Sequence, residues 1–568
     1  MSSETKICQN CKKDFVIETD DFSFYEKIKV PPPTFCPECR MIRRFSFLNV
    51  WNMHWRNCDK CEEKTLSMYK PEEKITVYCP ECWWGDSWDG TEYSMDYDSS
   101  RPFLEQVRDL MEKTPYVSTN NLRTSNKNCN YVNSTAWSKD CYLIFWADYC
   151  DNVYYSTLLN NLKSSADCVR GYYSELCYES IGFIRSYKLF FSDESDDCVD
   201  VWFSRNCYNC TNCIGCVNLS GASNCIFNVK YSKEEYKQKL EELNLKSWKN
   251  IKELEKKAHE FWATKPIRGH HGHSLNLNVT GDYVYTSKNS KASYILNGGE
   301  NCKWCQLVTV PPVKDCYDYS GWGDNANRIY ESIVVGGNAD SVYFSNECWP
   351  DVLNLQYCSW NISGKNNFGC VNLKRKQYCI LNKEYSKEDY KKLKEQIIED
   401  MKKNPYIDSK GREYRYGEFF PMELSRFPYN RSNAMRFFPK TKEQAVSEGY
   451  SWDDSEKEIG KSTVKSSDLP DVIKETEDSI LKESIECMSC YRPYNIASGE
   501  LDLLRKLELP IPHECPKCRE NKRFKGMNKP TNLYDRNCDK CNIEIKTPYD
   551  SERKEIIYCE KCYQQEVY

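Results

Sequence analysis

The chain has 568 residues, 34 cysteines, 41 tyrosines and a formal net charge of −5. This length predicts several domains, and the acidic balance excludes a protein that binds nucleic acid over its whole surface. Cysteines in CxxC pairs are typical of metal binding in a reducing compartment, so we expect a cytoplasmic protein. The sequence shows no secretory signal and no apolar stretch long enough for a membrane helix, so we expect no membrane contact.

Two tetrads of cysteines lie in residues 1–97, which we predict to be an N-terminal double zinc-finger module. The pairs of the first tetrad are separated by 24 residues and those of the second by 17, and residues 483–568 repeat both spacings. Two CxxC turns make a closed tetrahedral site, so we expect four structural Zn²⁺ ions. The predicted ligands are Cys8, Cys11, Cys36, Cys39, Cys58, Cys61, Cys79, Cys82, Cys487, Cys490, Cys515, Cys518, Cys538, Cys541, Cys559 and Cys562. Pairing in sequence order is expected, and a cross-braced arrangement stays open.

The N-terminal module should contain two hairpins and a short helix. Phe15, Ile17 and the aromatic residues at 22–25 suggest a hairpin that closes over the first metal. The segment YKPEEKITVYC suggests a second hairpin, between the halves of the second site. After Cys39, the run RMIRRFSFL suits a short helix with its arginines outside.

Residues 8–44 carry a CxxC pair followed by DFSFY, PPPTFCPECR and an RR pair. This run resembles the zinc-ribbon or treble-clef fingers of many uncharacterised bacterial proteins. The tail RNCDKC…YCEKCY resembles the C-terminal signature of the same proteins. The resemblance implies zinc binding at both ends of the chain and implies no particular activity.

Basic residues follow the first site of each module. A helix that begins at the metal would present them on one face, which could hold phosphates and predicts nucleic-acid binding as one alternative. The other reading is a solvated helix balanced by Glu38 and Glu520. The basic residues are Arg40, Arg43, Arg44, Lys517, Arg519, Lys522 and Arg523.

Residues 98–264 are predicted to form a first β-solenoid with a capping helix. A helix is expected within 101–117, ending near Pro115. Cysteines then recur nine residues apart, as at Cys198, Cys207 and Cys216, and we expect two such steps to make one coil of a parallel β-helix. The charged residues 231–262 should form the capping helix.

The central part of the chain is duplicated. GCVNLSGASNCIFN from Gly215 returns as GCVNLKRKQYCILN from Gly369. Residues 265–404 should therefore be a second β-solenoid with its own capping helix. Residues 405–482 should form an irregular strap and linker, with a short helix near 441–448 and a flexible or partly helical end.

Two further motifs suggest metal chemistry. Cys207, Cys210, Cys213 and Cys216 approximate the spacing of iron–sulfur ligands, but residues three apart on a strand should face alternate sides, which favours packing. The histidines of RGHHGHS, at 270, 271 and 273, could bind a metal, although an exposed junction loop is favoured.

The sequence thus predicts a mainly β protein with two tandem β-solenoid-like domains flanked by four-cysteine zinc-finger modules. The expected function is a zinc-binding scaffold with a protein partner and no evident catalysis. Nucleic-acid binding is one alternative. A carbohydrate-active enzyme that uses a solenoid groove is another, and it would need a pair of carboxylates that no sequence motif identifies.

Overall fold

The computed structural model describes residues 2–122, 125–272, 275–455, 460–530 and 533–567. The protein is mainly β, and two large sheets of mostly parallel strands, here called the first stack and the second stack, form its centre. The first stack contains Asn133–Ala136, Tyr142–Asp148, Asp151–Ala166, Val169–Glu175, Ile181–Ile184, Tyr187–Phe190, Val199–Trp202, Thr211–Ile214, Ser223–Ile226 and Val229–Lys230. The second contains Gly281–Tyr285, Ser293–Asn297, Gly299–Glu300, Gln306–Val310, Val313–Lys314, Tyr317–Gly323, Ala326–Gly336, Ala339–Tyr343, Asn346–Cys348, Leu353–Gln356, Ser359–Ile362, Lys365–Phe368, Val371–Lys374, Cys379–Ile380 and Lys383–Glu384.

Successive layers of the first stack are 12 residues apart. Tyr187 lies beside Val199, and Val199 lies beside Thr211. The expectation that two nine-residue steps make one layer is therefore wrong. The backbone φ is positive at every third residue, as at Asn206, Asn209 and Asn212. Each left-handed residue bends the chain, so a layer turns at four short corners, and Asn tolerates this conformation better than most residues.

The residue after each bend points into the stack. Cys207, Cys210 and Cys213 follow the three asparagines and are at most 1% exposed. Serines in equivalent positions pair with the backbone: the Ser204 hydroxyl accepts a hydrogen bond from the amide of Cys216 at 3.1 Å. The core is thus a narrow column of inward-facing side chains, in which Cys and Ser recur and a few larger residues such as Leu162 and Phe183 fill the rest.

The second stack widens where extra residues enter its layers. Its register is 12 residues between Gly281 and Ser293, and 14 between Gln306 and Ser320. It is 13 between Ala326 and Ala339. The bends beside these insertions lie at Pro311, Asp324, Gly337 and Pro350, all of which border a cleft between the stacks.

Helices close the end of each stack. The single helix expected over 231–262 is two, Lys233–Leu243 and Trp248–Ala263, because left-handed Asn244 ends the first and the Ser247 hydroxyl caps the second. Lys387–Lys403 occupies the corresponding place after the second stack, with Ile397 fully buried. No described helix is long and apolar enough to cross a membrane.

The N-terminal module contains the first expected hairpin only in part. Phe15 and Ile17 lie on strand Asp14–Ile17, which pairs antiparallel with Glu4–Ile7 and not with the aromatic residues at 22–25. Residues Thr19–Ile28 form a helix, and Phe24 stacks on Tyr317 of the second stack with ring centres 3.8 Å apart. The pairing expected within YKPEEKITVYC is absent among the described strands, since Val77–Tyr78 instead pairs with Tyr116–Val117. The other elements up to residue 113 are strands Glu4–Ile7, Asp14–Ile17, His54–Asn57 and Lys64–Ser67, helices Pro37–Ser46, Pro80–Trp84 and Phe103–Lys113, and the 3₁₀ turn Gly90–Tyr93.

The strap, residues 405–482, packs between the N-terminal module and the second stack. Phe419, Phe420 and Tyr429 are fully buried, and the helix expected near 441–448 spans Lys442–Ser447. Its other elements are strands Tyr406–Ile407, Glu413–Tyr414 and Val464–Lys465, helix Asn433–Phe437, and 3₁₀ turns Met422–Leu424, Tyr429–Arg431, Ser466–Asp468, Ile473–Glu475 and Asp478–Lys482. Strand Ile267–Arg268 lies between helix Trp248–Ala263 and the second stack. The C-terminal module contains strands Ile485–Glu486, Pro493–Tyr494, Tyr534–Asn537, Glu544–Thr547 and Ile557–Tyr558, and helices Ser498–Leu507, Pro516–Gly526 and Glu560–Val567.

Candidate metal centres and central cleft

The sixteen predicted ligand cysteines form four groups, and within each group the four sulfur atoms lie within 4.8 Å of one another. The groups follow sequence order, so the structure contains the sequential arrangement and not the cross-braced one. They are Cys8, Cys11, Cys36 and Cys39; Cys58, Cys61, Cys79 and Cys82; Cys487, Cys490, Cys515 and Cys518; and Cys538, Cys541, Cys559 and Cys562.

The sulfur separations suit a tetrahedral ion. The Sγ atoms of Cys11 and Cys36 are 3.7 Å apart, and those of Cys490 and Cys515 are 3.8 Å apart. A tetrahedron with Zn–S bonds of about 2.3 Å has an edge of about 3.8 Å. Four cysteine ligands also leave no position for water or substrate, so these sites have the form of structural centres.

A shared backbone loop orients the first cysteine pair of each site. The residue after the second cysteine is left-handed, and its amide donates to the carbonyl of the first cysteine, as from Glu62 to Cys58 at 2.9 Å. The amide of Cys79 then donates to Sγ of Cys58 at 3.1 Å. Burial raises the pKa of the Cys58 thiol, but backbone amides outweigh it and lower the pKa to about 7. The loop therefore favours the thiolate that a metal needs.

The arginines after the first site are buried, contrary to the expected exposed face. Arg40, Arg43 and Arg44 are fully buried. Arg40 Nη2 lies 2.6 Å from Asp318 Oδ2, and Arg44 Nη1 lies 3.2 Å from Asp318 Oδ1 and 3.0 Å from Glu331 Oε1. These ion pairs hold helix Pro37–Ser46 against the second stack, so the three arginines are not available to phosphates.

The C-terminal module repeats this arrangement on the first stack. Arg519 and Arg523 are buried and both pair with Asp167, at 2.7 Å for Arg523. Glu500 completes the cluster, 3.1 Å from Arg519. Only Lys517 and Lys522 of the predicted phosphate-binding set are exposed, and Lys522 pairs with Glu514. Sequence reasoning missed Asp167 because it lies 352 residues from Arg519 along the chain.

The first metal site of each module therefore packs on the stack that is farther from it in sequence, and the second site lies near the closer stack. In the N-terminal module, helix Pro37–Ser46 at the first site packs on the second stack. At the second site, strand Val77–Tyr78 pairs with Tyr116–Val117, which precedes the first stack. In the C-terminal module, Ile557–Tyr558 pairs with Ile267–Arg268 before the second stack. Trp51 and Phe524 bring the two ends of the chain into contact, with ring centres 6.0 Å apart.

The four cysteines Cys207, Cys210, Cys213 and Cys216 all point into the first stack, so the expectation of alternate faces is wrong. Because the backbone bends at every third residue, side chains three residues apart all point inward. They form none of the four-sulfur groups found among the described residues. The repeated Asn-Cys triplets of residues 206–213 were the sequence signal for this period.

The histidine motif packs against the second stack. His271 Nδ1 lies 3.0 Å from Asp282 Oδ1, and the imidazole stacks on Tyr283 at 4.4 Å. Burial lowers the pKa of His271, but the Asp282 carboxylate outweighs this effect and raises it. His273 lies outside the described residues.

A cleft of about 830 Å³, here called the central cleft, separates the two stacks. Arg170 in its lining joins the two stacks: Arg170 Nη1 lies 2.8 Å from Glu194 Oε1 of the first stack, and Arg170 Nη2 donates to the Tyr285 hydroxyl of the second stack at 2.9 Å. Asp148 and Asp196 also line the cleft, where they accept hydrogen bonds from the backbone amides of Ala136 and Ile184. Sequence reasoning did not identify this site, because it depends on how the two stacks meet.

No protein-family model matches the chain, and no curated protein does so either.

Proposed function

We propose that this protein is a zinc-stabilised scaffold in which two β-solenoids are locked side by side and share one binding cleft. The observation that carries the proposal is the clamp beside each first metal site: a finger helix inserts buried arginines into a carboxylate cluster of one stack. Metal binding can supply roughly 10–16 kcal/mol of folding free energy to a small module with little core of its own. The metal sites therefore serve the architecture.

Several features support the finer parts of this proposal. A 12-residue register with regular bends favours β-solenoids for both stacks. In the first site of each module, one CxxC pair lies in a loop between short strands and the other begins a helix, as in a treble clef. None of the 34 cysteines is in a disulfide, which supports a reducing, cytoplasmic location.

Metal analysis of the purified full-length chain tests the proposal. We expect four zinc ions per chain, three in Cys39→Ala, and four in the control Cys207→Ala, whose thiol lies in the interior column. A chain that folds and keeps its stability without bound metal would overturn the structural role of zinc.

A carbohydrate-active enzyme is a second candidate, because Glu194 and Asp196 lie two residues apart in the central cleft. Paired carboxylates in a groove are the chemistry that glycoside hydrolysis needs. Release of reducing ends from oligosaccharides by the native chain, lost in Asp196→Asn, would support it. If the protein binds oligosaccharides but releases no reducing ends, its function is binding and not hydrolysis.

A further inference from the structure

The central cleft has the size and lining of a ligand site. Its volume of about 830 Å³ falls within the roughly 300–1,000 Å³ of small-molecule sites. One wall is a face of the first stack, and the other is the widened part of the second stack. Because the lining comes from both stacks, the shape of the cleft depends on how the two stacks are held against each other.

Aromatic side chains in the cleft are left open to solvent. Trp137 is 51% exposed, Tyr173 is 59% exposed and Tyr208 is 50% exposed. Planar apolar surface of this extent in a concave site marks a binding surface. Further aromatic residues of the lining include Trp146, Tyr172, Tyr285, Trp322 and Trp349.

One column of the first stack brings polar, aromatic and aliphatic side chains into the cleft. Successive members are 12 residues apart and therefore lie one strand spacing, about 4.8 Å, from each other. The column presents carboxyl, amide, phenol and alkyl groups in a straight row, which suits an extended ligand made of repeated units. It consists of Asp148, Asn160, Tyr172, Ile184, Asp196 and Tyr208.

The charges of the described lining disfavour a polyanion. Its arginines are already paired, Arg170 with Glu194 and Arg185 with Asp197. Burial raises the pKa of Asp148 to about 6, and burial together with Glu194 raises that of Asp196 to about 7. At pH 7 the Asp196 carboxyl group therefore holds a proton about half of the time and can donate a hydrogen bond to a hydroxyl group as well as accept one, whereas Asp148 is mostly ionised and accepts.

We propose that the central cleft binds a neutral oligosaccharide. The C–H faces of the sugar rings pack on Trp137, Tyr173 and Tyr208, and the hydroxyl groups bond to the polar residues of the column. The proposal rests on the scaffold function only in requiring that the stacks be held together.

Binding to an array of immobilised neutral oligosaccharides tests the proposal, with the metal-loaded full-length chain as probe. Uronate oligomers, single-stranded DNA and a lysine-rich peptide serve as charged comparison ligands. The best neutral oligosaccharide is then titrated by calorimetry. Tyr173→Ala and Asp196→Asn should each weaken binding by roughly tenfold. Tyr187→Ala should not, because Tyr187 is 43% exposed on the same stack but lies outside the cleft lining.

Three outcomes would overturn the proposal: no neutral oligosaccharide bound, a preference for any charged ligand, or equal affinity of Tyr173→Ala and Tyr187→Ala. Metal content and melting temperature are measured on the same samples. A folded, fully metal-loaded chain that binds no sugar contradicts only the ligand assignment. A chain that lacks metal and yet is stable contradicts the scaffold.

Discussion

Arg40 Nη2 lies 2.6 Å from Asp318 Oδ2, across 278 residues of sequence. The side chains are at most 1% exposed, and Arg44 contacts the other oxygen of the same carboxylate. At the opposite end of the chain, Arg519 and Arg523 share Asp167 in the same way. The helix at the first metal site of each module thus packs on the stack that is more distant from it in sequence, and this closes the chain on itself.

Loss of the shared carboxylate should strongly destabilise the protein. Asp318→Asn leaves Arg40 and Arg44 buried with Glu331 as their remaining charged partner, and removal of one partner from a buried ion pair costs about 3–5 kcal/mol. We expect a decrease of about 3 kcal/mol or more in the free energy of unfolding, measured by urea denaturation. The control Asp197→Asn breaks the more exposed pair with Arg185 and should cost at most about 1 kcal/mol. Similar losses in both variants would contradict the clamp.

Removal of the metal from the first site of one module should increase local unfolding in the stack on which that site packs. In Cys39→Ser the helix Pro37–Ser46 loses its anchor, so amide exchange should increase in the second stack near residues 306–331. In Cys518→Ser the increase should occur in the first stack near residues 155–178. Hydrogen exchange with mass spectrometry distinguishes these patterns. An increase confined to the stack nearer in sequence would contradict this packing.

Local chemistry was predictable from the sequence, and long-range pairing was not. The CxxC spacings predicted the four cysteine groups, since each pair is brought together by its own loop. The helix after Cys39 was expected, yet the burial of Arg40 depends on Asp318, whose position no local pattern reports. The 12-residue layer was missed because cysteines nine apart occupy different corners of adjacent layers. The central cleft could not be predicted from any single segment, because both stacks contribute to its lining.

The cysteine positions in the interior column of the first stack should not accept a larger side chain. Cys213 is fully buried between backbone layers. Cys213→Leu adds volume to a filled core and should destabilise by about 1–3 kcal/mol, whereas Cys213→Ala should cost less. Thr211→Leu, at an exposed position of the same strand, serves as the control for size. Thermal melts and metal analysis of each variant measure the effect. A loss of bound metal in Cys213→Ala would show that this thiol is a ligand and not a packing residue.

Glu347 should make stability depend on pH. It is 2% exposed and accepts hydrogen bonds from the Asn120 amide at 2.8 Å and from the Trp349 indole at 3.3 Å. Burial raises its pKa from 4.5 to about 8, although both hydrogen bonds oppose the shift. The folded state therefore binds the proton more tightly than the unfolded state does.

The stabilisation from this proton is fully present below about pH 4.5 and is lost as the pH rises through about 8. Glu347→Gln keeps the shape without the ionisation, so we expect it to stabilise the protein by a few kcal/mol, about one for each unit of the shift, at pH 9, and hardly at all at pH 5. Urea denaturation at both pH values measures the difference. Glu242→Gln, at an exposed helical position, should have no such effect. If Glu347→Gln changed stability equally at pH 5 and pH 9, Glu347 would not be the group that releases the proton.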